Sequence, residues 1–358
     1  MKKIILLIQL IFIFTTGYTQ YRYELKVISK LPKGTKLYFN ILDNIEWKLI
    51  KKDSAIINGD YIKFNGTFTQ PAHYAALLIK YKGRYISENF VIDSGKNSLS
   101  LALKLDSKTT LDRVTIGTKS NEIYDKLIAI KIQQNISPSS IREMASVLQN
   151  YPNEYFSVLA LYQLTHYDRT EDYAKVTLNT LSLLNEDLQN SPLGQEIFRE
   201  QSKLISNLES VKVGKAVPYF SVKDDNGKLF QNESLKGKPY LIVFSATWCA
   251  PCQKQLPLLK QVYEKYKPEG LKVVYFNNDS DVKRWKEHIL KNKLTWINVS
   301  ERLKPTESKI QKSFGVYAVP TCLLIDKEGK IVYNSDQDDT GLTKLDDNVK
   351  RTVKDTSR

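Results

Sequence analysis

The sequence predicts a multidomain protein with an N-terminal antiparallel all-β domain, an α-helical middle segment and a C-terminal α/β domain. Three observations predict this. Residues 21–110 alternate polar and apolar with period two between closely spaced turn signals. Residues 120–210 lose most of their Gly and Pro, and apolar residues recur three and four apart. From about residue 211, short continuous apolar runs alternate with helical patterns, the mark of a layered fold with a partly parallel sheet.

Composition removes several classes. At 358 residues the chain is long enough for two or three cores. Its 53 Lys and Arg against 39 Asp and Glu give a net charge of +14, spread without any block of like charge. Such a spread reads as solvated surface, and neither a basic stripe nor a nucleic-acid module is present, so no nucleic-acid partner is expected. Three Cys are too few for a disulfide-stapled scaffold.

Residues 1–19 read as a signal peptide. Lys2 and Lys3 precede an apolar run over 4–14, and small and polar residues follow to Gln20. The run is about half of the roughly 20 residues a membrane-spanning helix needs. Gly17 and Thr19 fit the small positions before a cleavage site ahead of Gln20. No Cys stands there to take a lipid. The mature chain is therefore expected in the periplasm, without stable membrane insertion.

The all-β domain is expected over 20–115. Residues 21–27 alternate, and turns are expected at Pro32-Lys33-Gly34, Asn58-Gly59, Asn65-Gly66, Lys82-Gly83 and Asp93-Ser94-Gly95. His73 is a lone His in this region and reads as a surface or core residue. The helical region is expected over 116–210. Ile123, Leu127 and Ile130 set one face. Ser139 or Ser140 is expected to cap a helix starting at Ile141, and Ser191-Pro192 with Gly194 marks a break before a helix over 197–208. His166, also isolated, is assigned no role.

In the third region, 211–358, strands are expected over 240–244, 271–276 and 295–299, with a hairpin formed by 321–325 and 330–333. Helices are expected after the first strand, with Leu256, Leu259, Tyr263 and Tyr266 on one side, and over 283–290, 307–314 and 342–353.

The chemistry lies at Trp248-Cys249-Ala250-Pro251-Cys252, between the first buried strand and a helix. Two Cys three apart at a helix start are close enough to form a disulfide. The first meets the unpaired N–H groups and the positive end of the helix dipole, which favour the nucleophilic thiolate. Pro251 suits the first turn. Cys249 is expected to attack a substrate disulfide, and Cys252 to attack Cys249 and release the reduced substrate. Half of a zinc site is the competing reading, but only Cys322 and three scattered His remain as further ligands. No metal or other cofactor is expected.

Residues 244–252, Phe-Ser-Ala-Thr-Trp-Cys-Ala-Pro-Cys, resemble the active-site strand and turn of the thioredoxin superfamily. Pro257 matches its helix-kinking proline. Residues 314–321, Phe-Gly-Val-Tyr-Ala-Val-Pro-Thr, resemble the loop that carries its cis-proline. The lead-in residues Pro218-Tyr219-Phe220-Ser221-Val222 and Leu235-Lys236-Gly237-Lys238 are similar to exported TlpA/ResA-like thiol-disulfide oxidoreductases. The resemblance covers about 214–353 and implies a thioredoxin-like fold there. A weaker match, on Asp53-Ser54, Gly59 and residues 64–68, is to an all-β domain of unknown function common before TlpA-like domains.

The resemblance implies that Pro320 is cis and packs on the Cys pair, that Val319, Pro320 and Thr321 receive an extended substrate, and that Trp248 walls Cys249. It implies protein thiols and disulfides as partners, a membrane thiol as electron donor and the reducing direction. Two positions depart from the family. Val243 stands where thioredoxins bury an acid, and Gln255 stands where ResA-like proteins have Glu. Gln255 stands in the proton-handling position, but Gln hydrogen-bonds and does not titrate, so Cys252 is expected to lose its proton through water or the leaving thiolate.

Two other functions compete with this one. A peroxiredoxin-like antioxidant needs Pro-x-x-x-Thr-x-x-Cys, and Ile242 and Ala246 break that motif. A disulfide-binding or adaptor protein of the cell envelope needs no active pair, whereas this pair is intact.

Overall fold

In a computed structural model, residues 20–105, 109–116, 118–134, 137–304 and 307–354 are described. The expected leader lies outside them.

Strand β1 (Tyr21–Ser29) follows its alternation, burying Tyr23, Leu25 and Val27. Strands β2 (Lys36–Leu42), β3 (Leu49–Ile56), β4 (Tyr61–Phe68), β5 (Ala72–Tyr81), β6 (Arg84–Asp93), β7 (Gly95–Leu105) and β8 (Thr109–Ile116) complete two four-stranded sheets. Their orders are β4-β1-β7-β8 and β3-β2-β5-β6. All pairs are antiparallel except β1 with β7. One apolar core, including Leu25, Phe39, Phe64, Leu77 and Phe90, lies within this β region. Asn65-Gly66 is not a turn but lies inside β4, with Gly66 opposite Tyr23. A Cβ at Gly66 would sit 2.7 Å from Tyr23 Oη, so the missing side chain leaves room for the ring. His73 is a core residue, with Nδ1 3.1 Å from Leu42 O and its ring 4.9 Å from Phe68.

Helices α1 (Lys119–Gln134), α2 (Pro138–Gln149), α3 (Tyr155–Leu164), α4 (Glu171–Ser182), α5 (Glu186–Gln189) and α6 (Pro192–Ser210) follow. The cap of α2 is Ser137, not Ser139 or Ser140. Its hydroxyl accepts from Ser140 N at 3.2 Å, and Ser140 Oγ accepts from Ser137 N at 2.9 Å, which makes a capping box. Nor does Gly194 break the chain. Helix α6 starts at Pro192 and runs through Gly194, where a Cβ would lie 2.3 Å from Leu188 O.

The chain divides into two compact units. One holds residues up to 168 and 176–197, the other 169–175 and everything from 198.

After its parts of α4 and α6, the second unit continues with the hairpin β9 (Ser221–Lys223) and β10 (Leu229–Gln231) and a short 3₁₀ turn at Asn232–Leu235. Its central strand is β11 (Tyr240–Ser245), buried at every residue because both faces are covered. Then come α7 (Ala250–Tyr266), β12 (Lys272–Asn277), α8 (Val282–Asn292), β13 (Ile297–Val299), α9 (Lys309–Ser313), β14 (Thr321–Ile325), β15 (Ile331–Asn334), α10 (Ser335–Asp338) and α11 (Leu345–Lys354). The sheet order is β13-β12-β11-β14-β15. Strands β11, β12 and β13 are parallel, and β14 runs antiparallel to β11 and β15. Alternate residues of β11 feed two cores. Leu241 and Val243 pack with Leu256, Leu259, Trp285 and Val349, whereas Ile242 and Phe244 pack with Phe220, Phe276 and Phe314. Helix α11 starts later than the expected residue 342. Leu342 has a left-handed backbone (φ 59°), and Asp339 accepts from Thr343 N and Lys344 N just ahead of the helix.

Among the described residues no helix is long and apolar enough to cross a membrane.

Candidate active site

Strand β11 ends at Ser245 and the chain turns through Ala246, Thr247 and Trp248 into α7. Cys249 is the N-cap residue of that helix, in extended conformation, and Pro251 lies in the first turn. Cys249 and Cys252 are disulfide-bonded, with Cα atoms 5.3 Å apart. Cys252 N–H donates to Cys249 Sγ at 3.1 Å. The sulfur thus takes the place that a Ser or Asp oxygen takes in an ordinary cap. A thiolate at this position would meet the same N–H and the positive end of the helix dipole.

Facing the sulfur is the loop before β14. Val319 O lies 3.6 Å from Cys249 Sγ, and the Val319–Pro320 peptide is cis. Ala246, Cys249, Cys252 and Val319 form a small apolar cluster. Trp248, 55% exposed, is the large apolar side chain next to Cys249 that faces solvent. Thr321 is buried and donates to Asp336 Oδ2 at 2.8 Å. Among the described residues, Val319 N–H and C=O take no backbone hydrogen bond.

The other expected residues are placed as follows. Gln255 donates its side-chain amide to Thr340 O at 2.8 Å. Val243 pairs with Cys322 across β11 and β14. Cys322 is free and fully buried, and that burial pushes its thiol well above the ordinary range. Pro257 sits inside α7, where it withholds one helical N–H.

Sequence reasoning missed Asp279. This carboxylate, 3% exposed, accepts from Thr247 N and Thr247 Oγ1, both at 2.9 Å, and from Asn277 Nδ2 at 2.7 Å. It fixes the turn that presents Trp248 and Cys249. The signal was in the register. Ser245 pairs with Asn277 in the parallel ladder, and two steps onward on each strand bring Thr247 beside Asp279.

Residues 237–331 match a family model described as thioredoxin-like. The chain is 32% identical over 127 residues to the thiol-disulfide oxidoreductase ResA of Bacillus cereus, covering 36% of this chain and 71% of the relative. It is 31% identical over 140 residues to ResA of Bacillus subtilis, covering 39% and 74%. A solved thiol-disulfide oxidoreductase from Bacteroides fragilis is 26% identical, covering 37% of this chain and 98% of that one, with a TM-score of 0.34. With these identities over more than two thirds of each ResA, and a cysteine pair at the helix start of a thioredoxin-like domain, the chain belongs to the ResA-like thiol-disulfide oxidoreductases.

Proposed function

We propose that the protein is exported to the periplasm and reduces disulfides of protein substrates there. The observation that carries this reading is the setting of Cys249, a helix-capping sulfur that meets an N–H on one side and the Val319 loop on the other.

In the reduced protein the Cys249 thiolate attacks one sulfur of a substrate disulfide. A Cys249–substrate S–S bond forms, the substrate S–S bond breaks, and the first substrate sulfur leaves as a thiolate and takes up a proton. Cys252 then loses its proton and attacks Cys249 Sγ. The protein disulfide forms and the second substrate sulfur leaves. Two electrons pass from the protein dithiol to the substrate. A membrane thiol donor would return them. Val319, whose N–H and C=O take no backbone hydrogen bond, and Thr321 would hold the substrate as an added strand, with Pro320 and Trp248 as apolar flanks. Gln255 does not titrate, so the Cys252 proton leaves to water or to the departing thiolate.

The test is insulin-disulfide reduction with dithiothreitol as donor. The wild-type chain should accelerate it, and Cys249→Ser should abolish the acceleration. Cys252→Ser should accumulate mixed disulfides with cell-envelope proteins. Equal rates for wild type and Cys249→Ser would refute the reading.

A further inference from the structure

The loop that carries Val319 has a second neighbour in the same unit, supplied by residues outside the resemblance to thioredoxins. Arg169, in the segment between α3 and α4, places its guanidinium 5.5 Å from the centre of the Tyr317 ring. Tyr317 is half-buried and lies beside Asn207 of α6. The same stretch of α6 braces the loop again, since Asn207 Nδ2 donates to Lys312 O at 2.9 Å. Leu208 packs on Gly315 so closely that a Cβ there would lie 2.9 Å from Leu208 Cδ2. Tyr317 and Arg169 are therefore held in place beside residues 318–320.

Arg169 is half-exposed and, among the described residues, forms no ion pair with a carboxylate. Its guanidinium lies instead over the Tyr317 ring. Glu200 adds negative charge near Tyr317 but sits 3.7 Å from Arg199. A guanidinium stacked on an aromatic face keeps its N–H edge free for a carboxylate. Position sets what it can reach. Tyr317 precedes Val319 by two residues, at most about 7 Å along the chain, and Val319 O is 3.6 Å from the reactive sulfur. A peptide whose cysteine lies against Val319 would bring a residue about two positions away beside Arg169.

We propose that Arg169 is a specificity-determining residue that selects substrates with an acidic side chain about two residues from the exchanged cysteine. This rests on the thiol-exchange reading given above.

The test uses the full chain, reduced and freed of reductant, against two synthetic peptides. Each holds one intramolecular disulfide, and they differ only in Glu or Lys two positions after the cysteine. Thiol release gives the second-order rate of each. The Glu peptide should react about three- to fivefold faster at low salt, the effect of one partly exposed ion pair, and the ratio should shrink at high salt. The net charge of +14 favours the acidic peptide generally, so the deciding comparison is between variants. Arg169→Gln should bring the ratio close to that expected from general charge alone, and Arg169→Glu should lower it further. Lys291→Gln, which removes the same charge from the last turn of α8, should leave it unchanged. A ratio that is the same in wild type, Arg169→Gln and Arg169→Glu overturns the proposal while thiol exchange stands. A wild-type chain that reduces neither peptide, while dithiothreitol reduces both, removes the thiol-exchange reading and this proposal with it.

Discussion

Asp279 gathers three hydrogen bonds on two oxygens at a site closed to water. Truncating it strands the N–H and hydroxyl of Thr247 together with the Asn277 amide, at a cost of roughly 2–4 kcal/mol. Because Thr247 leads directly into Trp248 and Cys249, the loss should also blur the presentation of the nucleophile. Asp279→Ala is expected to lower the melting temperature of the second unit and slow disulfide reduction about tenfold. Thermal melting and insulin reduction measured together check this, and a variant that melts lower yet reduces at the wild-type rate would confine Asp279 to stability. The cysteine pair was legible in the sequence because its spacing and place between strand and helix dictate its chemistry. Asp279 was not, because an isolated Asp after an apolar strand resembles any loop residue until the parallel register brings it to Thr247.

Helix α6 inverts an ordinary rule. Ala stabilises a helix interior by about 1 kcal/mol relative to Gly, yet at position 194 the new Cβ would meet two backbone carbonyls, Leu188 O at 2.3 Å and Gln189 O at 2.4 Å. Backbone gives way less readily than a side-chain tip, so Gly194→Ala should destabilise the first unit by about 2 kcal/mol or more. Urea unfolding followed by circular dichroism measures this, and a stabilised variant would mean that α6 and α5 separate easily. The periodicities marked out most elements correctly, whereas the termini depended on details that periodicity does not carry. In α2 three nearby serines compete for the cap, and Pro138 decides between them. Proline fits the first helical position, which leaves Ser137 as the cap. At Gly66 the residue type suggested a turn, and the facing Tyr23 ring with the Lys51 ammonium over it explains a glycine in mid-strand.

The two units carry separate cores and respond to different conditions. In the first, Ser120 Oγ donates to Asp93 at 2.6 Å, while burial pushes the Asp93 carboxyl from 3.8 up to about 6. Between these values the native chain keeps a proton that the unfolded chain has lost. The associated stability is complete below about pH 4 and is lost as the pH rises through about 6. At about 1.4 kcal/mol per tenfold change in acidity, the loss at pH 7 is on the order of 2–3 kcal/mol. Asp93→Asn should therefore raise the stability of the first unit at pH 7 and flatten its dependence on acidity, as urea titrations at several pH values would reveal. An unchanged slope would mean that Asp93 is better hydrated than its surroundings imply. In the second unit, the sulfur that takes no part in exchange offers something practical. With Cys249 and Cys252 joined, Cys322 is the one thiol left in the sequence for an alkylating reagent, and it becomes reachable only when the core between the sheet and the helices that cover it opens. The labelling rate of the oxidised protein is then an internal clock for how often that seam opens, with no engineered probe required.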